Sequence, residues 1–420
     1  MTTVRSTPRL RRTRRWPGTA LLGLAALLAA CGGSESGSAG PEAAVDTVAG
    51  VPRTLWPETG GEVLYRGADT VATLGAALDG GEGVVFGSVP GPSGLAADGR
   101  GTLWVLDVRS RRIHRFDSTG SREASWGRQG EGPGEMEGPG GIAVGAGDSV
   151  WVYDYRLTRA TVFPDGGGDA RTVSPSARGA FPLPTFAPLT DGGHLQQLQS
   201  SPALMGGSGD RSVSLLARVG ADGTVADTLV AMERPPQQQV RMGSTSGEAV
   251  SFRLLDQQFA PELTWTALPG GRVAVVDSAA YRIRLLDASG RELRRFGRRG
   301  EPRPVTGEDR EAVRRRQREA AEDAAAAERI LEALTFADVV PEIEAMTVDP
   351  EGRLWVRTAP PEPGGEPGVD VFSPDGRLVG RAVGVPWPHA FVTPRLVARV
   401  VRDELDVSRV QLLRLRPAGD

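Results

Sequence analysis

Residues 107–131 and 277–301 match at a constant offset of 170 with no gap, and nine of the 25 positions are identical: Asp107/Asp277, Arg112/Arg282, Ile113/Ile283, Asp117/Asp287, Gly120/Gly290, Gly127/Gly297, Arg128/Arg298, Gly130/Gly300 and Glu131/Glu301. Spacing held over so long a stretch means that one backbone unit is used twice, which commits the chain to a repeat architecture. A looser copy of the same unit recurs as Leu103-Trp104-Val105-Leu106-Asp107, Val150-Trp151-Val152-Tyr153-Asp154, Val273-Ala274-Val275-Val276-Asp277 and Leu354-Trp355-Val356-Arg357. Each is a short apolar run rich in β-branched and aromatic residues, entered through a glycine turn. Runs apolar at consecutive positions are strands buried on both faces.

The spacing of these runs names the architecture. Asp107 and Asp154 are 47 residues apart, and Asp277 and Arg357 are 80 apart, of which about 33 belong to a helical insertion. A period near 45 residues with several strands in each is that of propeller blades. In the first unit the strands are read as Gly94 to Ala97, Leu103 to Asp107, Arg112 to Asp117 and Arg122 to Trp126, with a turn at Ser118-Thr119-Gly120. Further centres near Trp151, Gln196, Val275, Trp355 and Val400 make six units, of which the third and sixth are degenerate. The sixth runs out of chain after three strands, so a segment from Val63 to Val89 is expected to supply the fourth and close the ring. The expectation is an all-β chain, a six-bladed β-propeller with one long helical insertion. The 56 Gly and 32 Pro, scattered between apolar runs, suit many short strands joined by turns.

The start of the chain has a different composition. Residues 1–30 hold six Arg and no acid, with an apolar run from Ala20 to Ala30 too short at 11 residues to span a bilayer core of about 30 Å. This reads as a signal peptide over residues 1–30. Leu28-Ala29-Ala30-Cys31-Gly32 resembles the lipobox of bacterial lipoproteins, which implies lipidation of Cys31, the single cysteine, and cleavage before it. Gly32 after the cysteine implies the outer membrane by resemblance to Gram-negative lipoprotein sorting. Residues 31–50 read as a flexible tether and 51–420 as the propeller, with insertions at about 232–260 and 303–341. Removing six positive charges takes the formal net charge from -3 to -9, and an acidic domain argues against nucleic acid. No disulfide can form from one cysteine, so the core must rest on packing.

Leu103-Trp104-Val105-Leu106-Asp107, Arg112-Ile113-His114-Arg115-Phe116-Asp117 and Trp126-Gly127-Arg128-Gln129-Gly130-Glu131-Gly132-Pro133-Gly134-Glu135-Met136 resemble the bacterial six-bladed β-propeller lipoproteins related to NHL-repeat propellers, over roughly residues 60 to 416. The resemblance implies a fold and a location in the cell envelope, and no reaction.

The motifs that could carry chemistry are few. There is no Lys and no Asn, which removes Schiff-base and phosphate-loop lysines. Gly127 to Gly134 therefore reads as a turn between blades and not a phosphate cradle. Asp107 with Arg112, and Asp277 with Arg282, are expected to pair across the loop between second and third strands. Of the three histidines, His114 falls on a third strand and His194 at a strand start; only His389, after Trp387-Pro388, falls near an inner strand, so no metal site is expected from them. Channel histidines serve metal lyases of the NHL class, and the calcium lactonases of the six-bladed class use channel Asn, which is missing here. Thr306 to Leu334 reads as one helix, with Thr306 as N-cap and a buried stripe of Val313, Ala320, Ala324, Ala327, Leu331 and Leu334. Its basic cluster Arg314, Arg315, Arg316 and Arg318 is a candidate partner-binding face. Met232 to Gln258 reads as an ordered loop over one mouth of the ring. The expectation is a monomeric, lipid-anchored, non-catalytic binding or scaffold module without a cofactor, with an envelope protein or polysaccharide as partner; the alternative is a hydrolase or lyase acting in the central channel.

Overall fold

A computed structural model describes residues 43–419 except 76–83, 166–167, 178, 201–211, 243–250 and 322. The stretch read as a signal peptide, Cys31 and the Gly/Ser stretch after it lie outside the described residues. The fold is a β-propeller of four-stranded antiparallel units. Blade 1 runs from the axis outward as Leu95–Ala97, Leu103–Asp107, Arg112–Phe116 and Arg122–Trp126. Blades 2 to 5 follow with second strands Val150–Asp154, His194–Ser200, Arg272–Val276 and Leu354–Thr358. Blade 6 is built from Ala390–Thr393, Leu396–Arg402 and Ser408–Pro417, and its fourth strand is Val63–Leu74, antiparallel to Ser408–Pro417 with Thr70 opposite Leu413. The expected closure by the N-terminal segment is therefore present. The same strand also pairs in parallel with Arg381–Val383 of blade 5, which joins the last two blades into one sheet.

The doubly buried runs have a simple cause. Successive side chains on a strand point to opposite faces, so each second strand is divided between its two neighbours. Leu103 and Val105 pack toward blade 6, while Trp104 and Leu106 pack toward blade 2. Val150 and Val152 face blade 1, and Trp151 and Tyr153 face blade 3. Leu354 and Val356 face blade 4, and Trp355 faces blade 6. With a further cluster around Leu195, Trp265 and Val275 between blades 3 and 4, six apolar seams close the circle. The indoles of Trp104, Trp151 and Trp355 are the largest fully buried side chains and repeat as wedges between blades.

Three local expectations are corrected. The Asp107–Arg112 pair does not form: Asp107 ends its strand and accepts from the backbone N–H of Gly87, Ser88 and Arg109 and from the Ser110 hydroxyl, at 2.7–3.1 Å, while Arg112 is exposed. Asp154 does the same with Glu137, Gly138, Arg156 and Leu157. Each carboxylate ties the turn after the second strand to the chain entering the inner strand. Asp277 pairs with Arg284 and not Arg282, whose guanidinium goes to the carbonyls of Tyr281 and Arg298. The helix is two helices, α1 (Gly307–Ala320) and α2 (Ala324–Ala333). Thr306 caps α1 as expected, in a capping box with Asp309, but Asp323 turns its carboxylate onto the N–H of Ala326 and starts a new helix. The break rotates the stripe: Ile330 is buried, and Ala320 and Ala324 are exposed.

The stretch Met232 to Gln258 contains a hairpin, Gln238–Met242 with Ser251–Leu255, whose Val240 and Leu255 pack on Ile330 of α2. Both insertions leave the ring at junctions between the outer strand of one blade and the inner strand of the next, so they stand on the face where inner strands begin. Ahead of Val63–Leu74, Ala44–Val48 and Val51–Trp56 form a hairpin, the latter strand pairing in parallel with Arg295–Arg298 at the outer edge of blade 4; residues 44–50 fall in the stretch read as a tether. No helix among the described residues is long and apolar enough to cross a membrane.

Candidate functional site

The inner strands enclose a central cavity of about 660 Å³, to which all six blades contribute, through residues such as Ala96, Ile142, Phe186, Trp265, Val348 and Phe391. Its wall is largely apolar and backbone, with titratable side chains confined to the two ends. Asp98 and Asp349 lie where inner strands finish, and both are engaged in turns. Asp98 takes the N–H groups of Arg100, Gly101 and Thr102; burial would raise its pKa, but these bonds hold it below the usual carboxylate range. Asp349 accepts from Trp355 Nε1 at 2.9 Å and from Arg353 Nε at 2.6 Å.

His389 stands at the opposite end, immediately before Ala390–Thr393, where the sequence placed it. Its Nδ1 accepts the backbone N–H of Val400 at 3.0 Å, which leaves the proton of the neutral ring on Nε2. Burial, with Arg399 and Arg357 adding like charge, pushes its pKa down to about 4. The imidazole is thus neutral at physiological pH and offers an N–H.

His389 also lines a second cavity of about 510 Å³, between blades 5 and 6, with Arg357, Glu366, Trp387 and Arg399. Arg357 lies beside Glu344, Nε to Oε2 3.0 Å. Glu344 sits on the inner strand of blade 5 at a bulge between Ile343 and Ala345, where the pairing shifts by a residue. Burial raises its pKa, and Arg357 opposes the rise only in part. Glu344, whose side chain is 39% exposed and lines neither cavity, and His389, held neutral, thus stand at the end of the ring where inner strands begin, each beside Arg357. Perturbed titratable groups of this kind cluster at functional sites.

The other histidines do not converge on this mouth. His114 is buried in blade 1 beside Phe86 and Phe116 with neither ring nitrogen bonded, and His194 is buried between Trp151 and Phe186 with Nε2 on Gln196 at 3.2 Å. Burial takes each to a pKa of about 4. Among the described residues no group of three or more His, Cys, Asp or Glu is placed to hold a metal ion. The helical arginines line none of the cavities described: Arg314 stacks on Phe336 with Arg310, Arg318 pairs with Glu311 at 2.8 Å, and Arg315 and Arg316 are exposed. A third cavity of about 500 Å³, near α1, is floored by Tyr281, Arg298 and Asp370. There Arg298 donates to both Asp370 oxygens and to the carbonyls of Pro57, Glu58 and Gly60, which makes it an anchor for the N-terminal segment.

Sequence reasoning placed His389 but missed Glu344, Arg357 and Arg399. A signal existed for the arginines. Arg357 holds the position that is Leu106, Tyr153 and Val276 in the other copies, and Arg399 interrupts the apolar second strand of blade 6. Charge in a repeat position that is elsewhere apolar marks a departure from packing.

No family model and no curated protein matches the chain. Solved structures do. A gluconolactonase from Xanthomonas campestris is 15% identical, with 78% of this chain and 86% of that one covered and a TM-score of 0.36. Virginiamycin B lyase from Staphylococcus aureus is 11% identical over 78% and 96%, TM-score 0.36. A luciferin-regenerating enzyme is 14% identical over 79% and 92%, TM-score 0.37. These are described as enzymes, and the expectation of a non-catalytic scaffold is corrected accordingly. At such identities the likeness speaks to fold alone, so the reaction has to be argued from the residues at the mouth.

Proposed function

We propose that the chain is a hydrolase or lyase acting on a small carbonyl-containing molecule at the mouth marked by His389. The observation that carries the reading is the shared position of His389, whose imidazole borders both cavities, is pinned through Nδ1 and is neutral. An N–H held in that way is a preorganised donor to a carbonyl oxygen that gains negative charge, at no cost in proton transfer. Glu344 as carboxylate is the base. In hydrolysis it takes a proton from water as the hydroxyl oxygen bonds the acyl carbon; the C–O bond to the leaving group then breaks and that oxygen takes the proton back. In elimination it removes a proton α to the carbonyl, and the electron pair forms the C=C bond as the β-substituent leaves. Arg357 holds the carboxylate and adds positive charge beside the developing oxyanion.

A screen of lactones, aryl esters and β-substituted carbonyl compounds tests this. Turnover is expected, with kcat/KM lowered by about 10²–10³ in His389→Ala and Glu344→Gln. It should rise with pH above the ordinary glutamate range as Glu344 ionises, with no inflection near 6.5. Absence of turnover across the screen, or undiminished turnover in both variants, overturns the reading.

Membership of the NHL-related lipoprotein propellers, with an anchor at Cys31 in the outer membrane, is part of the same proposal. Its support is the Leu28–Gly32 pattern and the apolar run before it. Cys31→Ser should move the protein from the membrane to the soluble fraction; unchanged fractionation refutes the anchor. The exposed Arg315 and Arg316 leave α1 with a face suited to an anionic envelope partner.

A further inference from the structure

The second cavity has an electrostatic imbalance that the proposed chemistry does not use. Arg357 reaches it from blade 5 and has Glu344 at 3.0 Å. Arg399 reaches it from the facing strand of blade 6, and among the described residues no ion pair forms on it; its Nε, like that of Arg357, is buried without a hydrogen-bond acceptor. Glu366, the cavity's carboxylate, is exposed, and His389 is neutral. A buried guanidinium N–H with no acceptor is destabilising and rare in native folds, and one that borders a cavity is explained by what enters the cavity. The planar fork of arginine fits two oxygens of one carboxylate or phosphate. Beside it Trp387, Pro386, Val385 and Pro367 form an apolar wall suited to a hydrocarbon or aromatic stem.

We infer that this cavity is an anion subsite and that the substrate is an organic anion, its carboxylate or phosphate on Arg399 and its stem along Trp387. Because His389 borders both cavities, the reacting carbonyl of such a molecule comes to the imidazole N–H. The substrate class rests on the proposed reaction at His389; the anion subsite stands on Arg399 and can be tested by binding alone.

The test is titration of the full chain with benzoate, phenyl phosphate and the neutral benzamide, followed by calorimetry. At least one anion should bind at least about tenfold more tightly than benzamide at low salt and weaken as salt is added. The tighter of the two anions identifies the headgroup. Arg399→Gln should reduce anion affinity by about tenfold or more and leave benzamide unchanged, and Arg399→Lys should retain part of it, since charge without the fork remains. His389→Ala should keep anion binding while lowering kcat/KM by the same factor of about 10²–10³, so the subsite and the reaction fail separately. Equal binding of benzamide and both anions, undiminished binding in Arg399→Gln, or no binding at about 10 mM probe overturns the inference. If Arg399→Gln fails to fold, the wild-type comparison of anions with benzamide decides.

Discussion

Arg128 in blade 1 and Arg298 in blade 4 hold the same place in the repeat, yet the side chain of the first is 76% exposed and that of the second 5%. Arg128 lies on the surface against Glu135; Arg298 is sunk against Asp370 and three carbonyls of the N-terminal segment. Asp107 and Asp277 diverge likewise. The position of His114 in blade 1 is Arg284 in blade 4, and Arg284 takes the Asp277 carboxylate at 2.5 Å, whereas the neutral ring of His114 leaves Asp107 to the backbone. What the two blades do share is conformation. Gly120 and Gly290 turn at φ of 90° and 82°, and Gly130 and Gly300 at 144° and 133°. Identity between repeats therefore preserves the path of the chain, while the charged residues are free to take local employment.

The largest contrast should come from the paired carboxylates. Asp370→Ala strands a buried guanidinium and should cost about 3–5 kcal/mol, whereas Glu135→Ala, at the surface, should cost far less; urea unfolding measures both, and equal losses would break the comparison. Next, Asp107→Ala frees several backbone N–H groups and should cost about 2–3 kcal/mol, against about 1 kcal/mol or less for the half-buried pair lost in Asp277→Ala. The smallest effect concerns pH. The pKa of His114 is about 4 in the fold and near 6.5 unfolded, so the unfolded chain binds the extra proton between those values. Stability from this residue is complete above pH 6.5 and is lost as pH falls toward 4, on the order of 1 kcal/mol by pH 5.5. His114→Phe should flatten that part of a Tm-against-pH curve, and Arg284→Met should not. His194 and His389 add parallel slopes in both variants, and the raised Glu342 and Glu344 act in the opposite sense from the ordinary glutamate range upward.

The strands were legible because their signal is local. Leu103–Asp107 and Arg122–Trp126 appear with the bounds that their composition suggests, and the missing strand of blade 6 was required by the count of units before Val63–Leu74 was seen to fill it. The helical insertion was half legible. Thr306 and Asp309 announce a start, but the Ala-rich run reads through residues 321–323, and only the turn of the Asp323 carboxylate onto Ala326 divides it. The mouth was the least legible. Glu344 is aimed by a bulge, which leaves no mark on hydrophobic period, and Arg357 and Arg399 meet because blades 5 and 6 face each other across a seam. A pairing of acid and base on the same loop, as imagined for Asp107 with Arg112, is the kind of contact sequence suggests; the contacts that form depend on which strand neighbours which.

The way the circle is completed bears on time as well as stability. Thr70 and Leu413 lie 343 positions apart and become neighbours in one sheet. Blades 1 to 5 can assemble from contiguous chain, each in the order in which it is made, but Val63–Leu74 has no antiparallel partner until Ser408–Pro417 exists. Contacts so distant along the chain form slowly. The earliest blade strand to be synthesised is thus among the last to be satisfied, and throughout the interval it presents a bare edge to any other chain of the same kind. Synthesis cut short by even the final ten residues of that sheet would leave a molecule with five finished blades and a persistent invitation to exchange strands with its neighbours.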